Sequence, residues 1–182
     1  MAAFRAILVG GGVRCGKSAF ALELANGLGA RRVFIATAQA FDAEMAERIA
    51  AHKLERGAGW TTREEPIDLP ASVRAASEHA DVIVVDCLTL WLSNLILRDE
   101  SDVALLQHVE DLASAVRNRG CHVIMVTNEV GMGLVPENAL GRRFRDAAGR
   151  THQRLARECS EVYAGVLGCI LRLRPGPVEL VT

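Results

Sequence analysis

The residues with the clearest chemical pattern are Gly11, Gly12, Val13, Arg14, Cys15, Gly16, Lys17 and Ser18. Gly11, four residues, then Gly16-Lys17-Ser18 fit a phosphate-binding loop. Glycines let successive backbone N–H groups turn inward on phosphate oxygens, and a following helix adds its positive dipole end. Lys17 would reach the β and γ phosphates and Ser18 would ligate magnesium. Asp86 closes the apolar run Val82-Ile83-Val84-Val85, where a carboxylate beside such a loop can hold the same ion. A helix cap is its plainer role. Arg48, His52 and Arg56 recur every four residues and form one stripe. The two arginines would favour phosphate and oppose imidazolium, leaving an imidazole able to attack an α-phosphate. On spacing alone, an exposed helix histidine without a role is the simpler reading of His52. The segment from Thr127 to Asn138 carries two glycines that permit close backbone approach, and Pro136 could open the next helix. Arg142, Arg143, Arg145 and Arg150 read as a basic helix face, by default solvated. Glu64 and Glu65 are adjacent and are read as solvent-facing carboxylates.

Elements that would position these groups alternate along the chain. Strands are expected over 4–9, 32–36, 81–86, 122–127, 161–166 and 170–173, with a short extended stretch over 60–64. Helices are expected over 18–28, 42–56, 69–79, 88–97, 102–119 and 136–159. Such alternation implies an α/β fold with a mostly parallel sheet and helices on both faces. Ligands bind such sheets beyond the carboxyl ends of the strands. That rule nominates Gly10 to Ser18, Thr37 to Gln39, Asp86-Cys87 and Asn128 to Gly133, converging on one crevice.

The chain has 182 residues, half of them hydrophobic, and a net charge of -1. That length suits a single domain over residues 1–182. The near-zero charge supplies no field toward nucleic acid or a membrane surface, and no apolar run reaches the roughly 20 residues of a membrane span. The first residues lead into a strand without a signal-peptide pattern, and five scattered cysteines fit reduced thiols, so a cytoplasmic location is expected.

The loop Gly11-Gly12-Val13-Arg14-Cys15-Gly16-Lys17-Ser18 is followed in order by Ile35-Ala36-Thr37-Ala38, Asp42-Ala43-Glu44-Met45, Arg48-Ile49, His52, Trp60 and Glu64-Glu65-Pro66. Val126 to Asn138, Phe144-Arg145-Asp146 and Gly149-Arg150 complete the set. Together these resemble the bifunctional adenosylcobinamide kinase / adenosylcobinamide-phosphate guanylyltransferase family of cobalamin biosynthesis, from the first strand to about Arg174. The resemblance implies a RecA-like P-loop NTPase fold and a homotrimer. It implies phosphorylation of adenosylcobinamide by ATP or GTP, then transfer of GMP from GTP through a guanylylated histidine matching His52, with Mg2+ as cofactor. It also implies nucleotide contacts at Gly11 to Ser18, Ala36, Thr37, Ala38, Lys53, Leu54, Glu55, Arg56, Glu64 and Asp86. Three departures stand out. Cys15 replaces a serine and adds an oxidisable thiol near the phosphates. Asp86 stands where some members carry glutamate, and Thr151-His152 where an asparagine commonly precedes Gln153. A simple P-loop kinase or ATPase that leaves His52 idle is one alternative. A GTP switch is another, but Asp-x-x-Gly and Asn-Lys-x-Asp are missing after Asp86 and at Asn128.

Overall fold

The computed structural model describes residues 4–40, 43, 47, 50, 53–54 and 56–181. Its centre is an eight-stranded sheet in the order β3-β2-β4-β5-β1-β6-β7-β8. In chain order the strands are β1 (Ala6–Gly11), β2 (Arg32–Ala36), β3 (Trp60–Glu64), β4 (Val82–Asp86), β5 (His122–Val126), β6 (Glu161–Val166), β7 (Cys169–Arg174) and β8 (Glu179–Val181). The first six are parallel to their neighbours; β7 and β8 are antiparallel additions at one edge. Central strands such as Val82-Ile83-Val84-Val85 are buried along their length. β-branched residues suit the pleat, and a strand covered on both faces reads as a continuous apolar run.

The helices are α1 (Lys17–Asn26), α2 (Leu69–Ser77), α3 (Leu88–Leu97), α4 (Asp102–Arg117) and α5 (Ala139–Ala156). Ala43, Glu47, Ala50, Lys53, Leu54 and Arg56 are also helical, within the helix expected over 42–56. The two faces of the sheet are covered unequally. Leu69, Trp91, Leu95, Leu112, Val116 and Leu155 from α2 to α5 pack on Leu8, Ile83, Val85 and Met125. On the other face Ala21 and Ala25 of α1 pack on Ile7, Val9, Phe34, Val84 and Val126.

Several expected boundaries move, each for a local reason. β1 begins at Ala6 and runs through Gly10 into Gly11, because Gly10 and Gly11 pair in register with Ala164 and Gly165 of β6. α5 does not open at Pro136. Asn138 is its cap, with Oδ1 accepting from the Gly141 N–H at 2.6 Å. α4 stops at Arg117, where Asn118 takes the C-cap. The 60–64 stretch is a true parallel edge strand on β2, and β8 was not expected at all. No helix among the described residues is long and apolar enough to cross a membrane.

Candidate active site

Register places the site before any side chain is considered. Glu64 pairs with Ala36, Ala36 with Asp86, Asp86 with Val126, and Val126 with Val9. These residues form one row across the carboxyl ends of the strands. In-register partners of a parallel sheet point to the same face, here the α1 face. Only β5 separates the strand entering the phosphate loop from the strand ending in Asp86, so Asp86 lies two strand spacings, about 10 Å, from β1.

The loop itself is held by backbone geometry. Gly16 caps α1 at φ 92°, a left-handed conformation that costs a glycine nothing, and Arg14 adopts φ 55° beside it. No side chain caps α1, so its leading N–H groups are left to a ligand. Lys17 is 8 % exposed, and its Nζ donates to the Gly12 carbonyl at 2.9 Å, bending back over the loop. Val13 and Arg14 are exposed at the loop tip.

Cys15 corrects one expectation. Its thiol does not face the phosphate side as an accessible group. Cys15 is buried and packed beneath the loop, where a Cβ at either Gly11 or Gly165 would come within 2.6 Å of Sγ. The residue is a packing element that sets how closely the loop approaches β6.

Beside α1, a groove of about 400 Å3 is lined by Ser18, Leu22, Asn26 and Arg56 over a floor of Phe34, Val84 and Val126, with Asp86 at its edge. Ser18 and Asp86, both expected near the metal, therefore share one groove. The Arg56 guanidinium lies 3.8 Å over the Phe34 ring, and its Nη2 donates to Thr62 Oγ1 at 3.4 Å. Burial lowers the Arg56 pKa and the Asp86 charge pulls it back up; a guanidinium stays charged either way. Lys53 Nζ donates to Glu64 Oε1 at 2.8 Å, which holds the Glu64 carboxyl below its usual range. Leu54 is 83 % exposed. His52 and Glu55, like Arg48, lie outside the described residues.

Ala36 and Ala38 are half-buried at the end of β2, but Thr37 is fully buried. Its Oγ1 donates to the Cys87 carbonyl at 2.7 Å and accepts from the Cys87 N–H at 2.9 Å. The Thr37 side chain thus clamps β2 to the chain just after Asp86, and its N–H donates to the Asp86 carbonyl at 3.1 Å, so in this conformation Thr37 is committed to holding the fold. Asn94 extends the clamp, donating from Nδ2 to the carbonyls of Thr37 and Pro66. Asn128 Nδ2 donates to Thr89 Oγ1 at 3.1 Å, beside a Cys87 thiol whose pKa is raised by burial and by Asp86.

At the tip of β5, Thr127 Oγ1 and His152 Nε2 are 2.7 Å apart. Burial keeps His152 below its ordinary pKa, against the pull of Glu129. The Glu129 N–H donates to the Gly11 carbonyl at 2.9 Å, which ties this segment to the phosphate loop. Three of the four arginines of the basic face are engaged locally, and Arg150 is exposed. Arg145 donates to the Gly131 carbonyl, Arg142 to those of Pro136 and Glu137, and Arg143 pairs with Asp102. Glu65 is no free carboxylate either: its Oε1 accepts from the N–H groups of Ile67 and Asp68. A separate cavity of about 420 Å3 between α4 and α5, floored by Leu105, Val109 and Ala147, contains none of the expected nucleotide or metal residues, though Arg143 and Arg150 of the basic face line it.

The sequence reading nominates Asn128 by its place after a strand but misses Asn94 and the Thr127–His152 pair. Asn94 was within reach of it, being an amide in the largely apolar run from Leu88 to Leu97. A buried amide needs partners.

Residues 7–173 match the family model described as cobinamide kinase / cobinamide phosphate guanyltransferase. The chain is 43% identical over 171 residues to a Pseudomonas aeruginosa protein named bifunctional adenosylcobalamin biosynthesis protein CobP, covering 94% of this chain and 98% of that one. It is 41% identical over 180 residues to the bifunctional adenosylcobalamin biosynthesis protein CobU of Salmonella typhimurium, covering 92% and 99%. Among solved structures, one from Pyrococcus horikoshii, titled a structural study of project PH0250, superposes with a TM-score of 0.56 at 8% identity, covering 93% of this chain and 86% of that one. It shares the fold.

Proposed function

Because the chain belongs to the cobinamide kinase / cobinamide phosphate guanyltransferase family, we propose that the groove beside α1 serves both reactions of that family. The protein is a transferase of adenosylcobalamin biosynthesis. In the first reaction a nucleoside triphosphate phosphorylates the hydroxyl of adenosylcobinamide. In the second, GMP passes from GTP to the resulting phosphate and pyrophosphate leaves. A kinase without the second activity does not fit relatives named as bifunctional over nearly their whole length.

The observation that carries the site assignment is the meeting of Ser18, Asp86 and Arg56 in one groove at the mouth of the phosphate loop. The loop amides from Gly11 to Ser18 and the N-terminus of α1 bind the triphosphate tail. Lys17 exchanges the Gly12 carbonyl for phosphate oxygens and neutralises charge that builds up there. The apolar floor of Phe34, Val84 and Val126 takes the flat base, while Ala36, Ala38, Lys53, Leu54 and Glu64 border the nucleoside end, with Glu55 a further nucleotide contact in the same reading. A hydroxyl and a carboxylate in one groove suit Mg2+, which keeps few protein ligands and takes the rest from phosphate and water. Ser18 and Asp86 would hold the ion, which lowers the charge on the phosphates as they are attacked.

His52 is the guanylyl carrier in this reading. Its imidazole nitrogen bonds to the α-phosphorus, the bond to the bridging oxygen breaks, and pyrophosphate departs. The phosphoramidate then gives GMP to adenosylcobinamide phosphate. Support comes from the neighbours of His52 in the chain: Lys53 is paired with Glu64, and Arg56 sits over Phe34 at the groove. ATP or GTP serves as phosphoryl donor, the working unit is a homotrimer, and the compartment is the cytoplasm. The test is incubation with α-labelled GTP and magnesium followed by denaturation in base. The wild type should retain label and His52→Ala should retain none. An unlabelled wild type, or equal label on the variant, removes the covalent step.

A further inference from the structure

We propose that the exposed apolar segment 132–135, together with Val13 of the phosphate loop, is the seat for the corrin macrocycle of the acceptor. This rests on the reading of the protein as a cobinamide kinase and guanylyltransferase. Met132 is 92 % exposed, Leu134 97 % and Val135 66 %, and Val13 is 75 % exposed. Scattered exposed aliphatics are ordinary, but three within four residues on one loop make a patch.

The loop is not loose at its ends. The Gly131 carbonyl accepts from Arg145 and the Pro136 carbonyl from Arg142, so both ends are pinned while 132–135 project. The root of the segment is joined to the phosphate loop through the Glu129 N–H and the Gly11 carbonyl. Three residues of chain separate Glu129 from Met132, a reach of at most about 11 Å. Met132 therefore lies within about 11 Å of the residue bonded to the start of the phosphate loop.

The acceptor's size makes a seat outside the groove necessary. A groove of about 400 Å3 is of the size that one small ligand fills, and the nucleotide takes it. The second substrate is a broad methylated macrocycle edged with amides, and its reactive hydroxyl is on a side arm. It has to rest outside the groove with the arm reaching in. Apolar side chains suit its ring face, and methionine adapts to an irregular one. A second copy of the chain is the other conceivable occupant. Four side chains alone fall short of the roughly 800 Å2 per partner that a stable interface buries, so a subunit contact in the homotrimer would have to recruit surface beyond this loop, and the mass measurement below tells the two occupants apart.

The experiment uses the full-length double variant Met132→Ser/Leu134→Ser. Its KM for cobinamide in the kinase assay should rise at least about tenfold, with KM for GTP within twofold of wild type and the mass by light scattering unchanged. Leu167→Ser, at an equally exposed leucine in the β6–β7 turn, should leave the corrinoid KM alone. Met132→Leu/Leu134→Met, which keeps the apolar surface, should restore wild-type values. A corrinoid KM within twofold of wild type in the serine double variant overturns the proposal. So does a change in mass, which would give the loop to a subunit contact. Failure of the wild type to phosphorylate cobinamide at all would instead refute the underlying functional reading, before any variant is compared.

Discussion

Replacing Gly165 by alanine tests how the phosphate loop is seated. An added Cβ would lie 2.6 Å from Cys15 Sγ, 3.3 Å from Cys15 Cβ and 3.4 Å from the Cys15 carbonyl oxygen. The backbone at 165 is not left-handed, so alanine brings no conformational strain of its own. The cost is steric. The thiol is 7 % exposed and is closed in by Gly11 as well as Gly165, so it has little room to turn away. Overpacking of this kind costs about 1–3 kcal/mol. At roughly 2–4 °C per kcal/mol for a chain of this length, Tm should fall by about 2–12 °C. In a Cys15→Ala background the nearest atom is gone and the remaining contacts are only tight, so Gly165→Ala should cost less than about 1 kcal/mol. The four proteins of this cycle are compared by thermal unfolding, and GTP affinity is measured by titration calorimetry. Coupling of about 1 kcal/mol or more between the two sites is expected, with GTP binding weakened in Gly165→Ala and recovered in the double variant. Equal costs in both backgrounds, or no cost in either, would refute the claim that the thiol is trapped between the loop and β6.

Lys17→Ala should lower both half-reactions by about 100-fold or more, because one cation aimed at developing phosphate charge is lost. Separate assays of cobinamide phosphorylation and of GMP transfer check it, and a near-normal rate in either contradicts the role. Glu158→Gln should destabilise the junction of α4 with the end of α5. Arg117 makes two bonds to the Glu158 carboxylate, and Arg154 adds a third. Arg117 first, then Arg154, bring its pKa down to about 2 against the opposing effect of burial. A lowered folded pKa means that the stabilisation is complete above the unfolded value near 4.5 and drains away as pH falls toward 2. The stability gap between variant and wild type, about 1 kcal/mol after solvent screening and read as a difference in Tm, should therefore be present at pH 7 and close across that window. A gap that persists at pH 2 would rule out the ion-pair origin.

The parts of the fold legible in the sequence were those governed by backbone or by long apolar runs. The glycines of the phosphate loop announce left-handed and close-approach positions, and Gly16 at φ 92° is one of them. The strand ending at Asp86 was legible because four consecutive apolar residues precede it. Side-chain direction was not legible. Cys15 has the size of a serine in the motif, but the motif does not say that its thiol turns down toward Gly165. Arg142, Arg143 and Arg145 look like a free cationic face until the carbonyls of Gly131 and Pro136 and the Asp102 carboxylate are seen to accept from them. The Thr127–His152 bond spans 25 residues, and nothing in either residue's local pattern announces it. Pro136 carries a helix-start signal, but Asn138 outcompetes it because its side chain can satisfy the Gly141 amide.

The unequal covering of the sheet has a consequence for how the protein tolerates change. On the face packed by α2 to α5, most substitutions meet the apolar core away from the groove beside α1, so damage there should show first as lower abundance of folded protein. The opposite face carries α1 and the loop that leads into it, and its core residues Phe34, Val84 and Val126 also line the groove. There, foldability and substrate handling depend on the same atoms, and a substitution cannot alter one without touching the other.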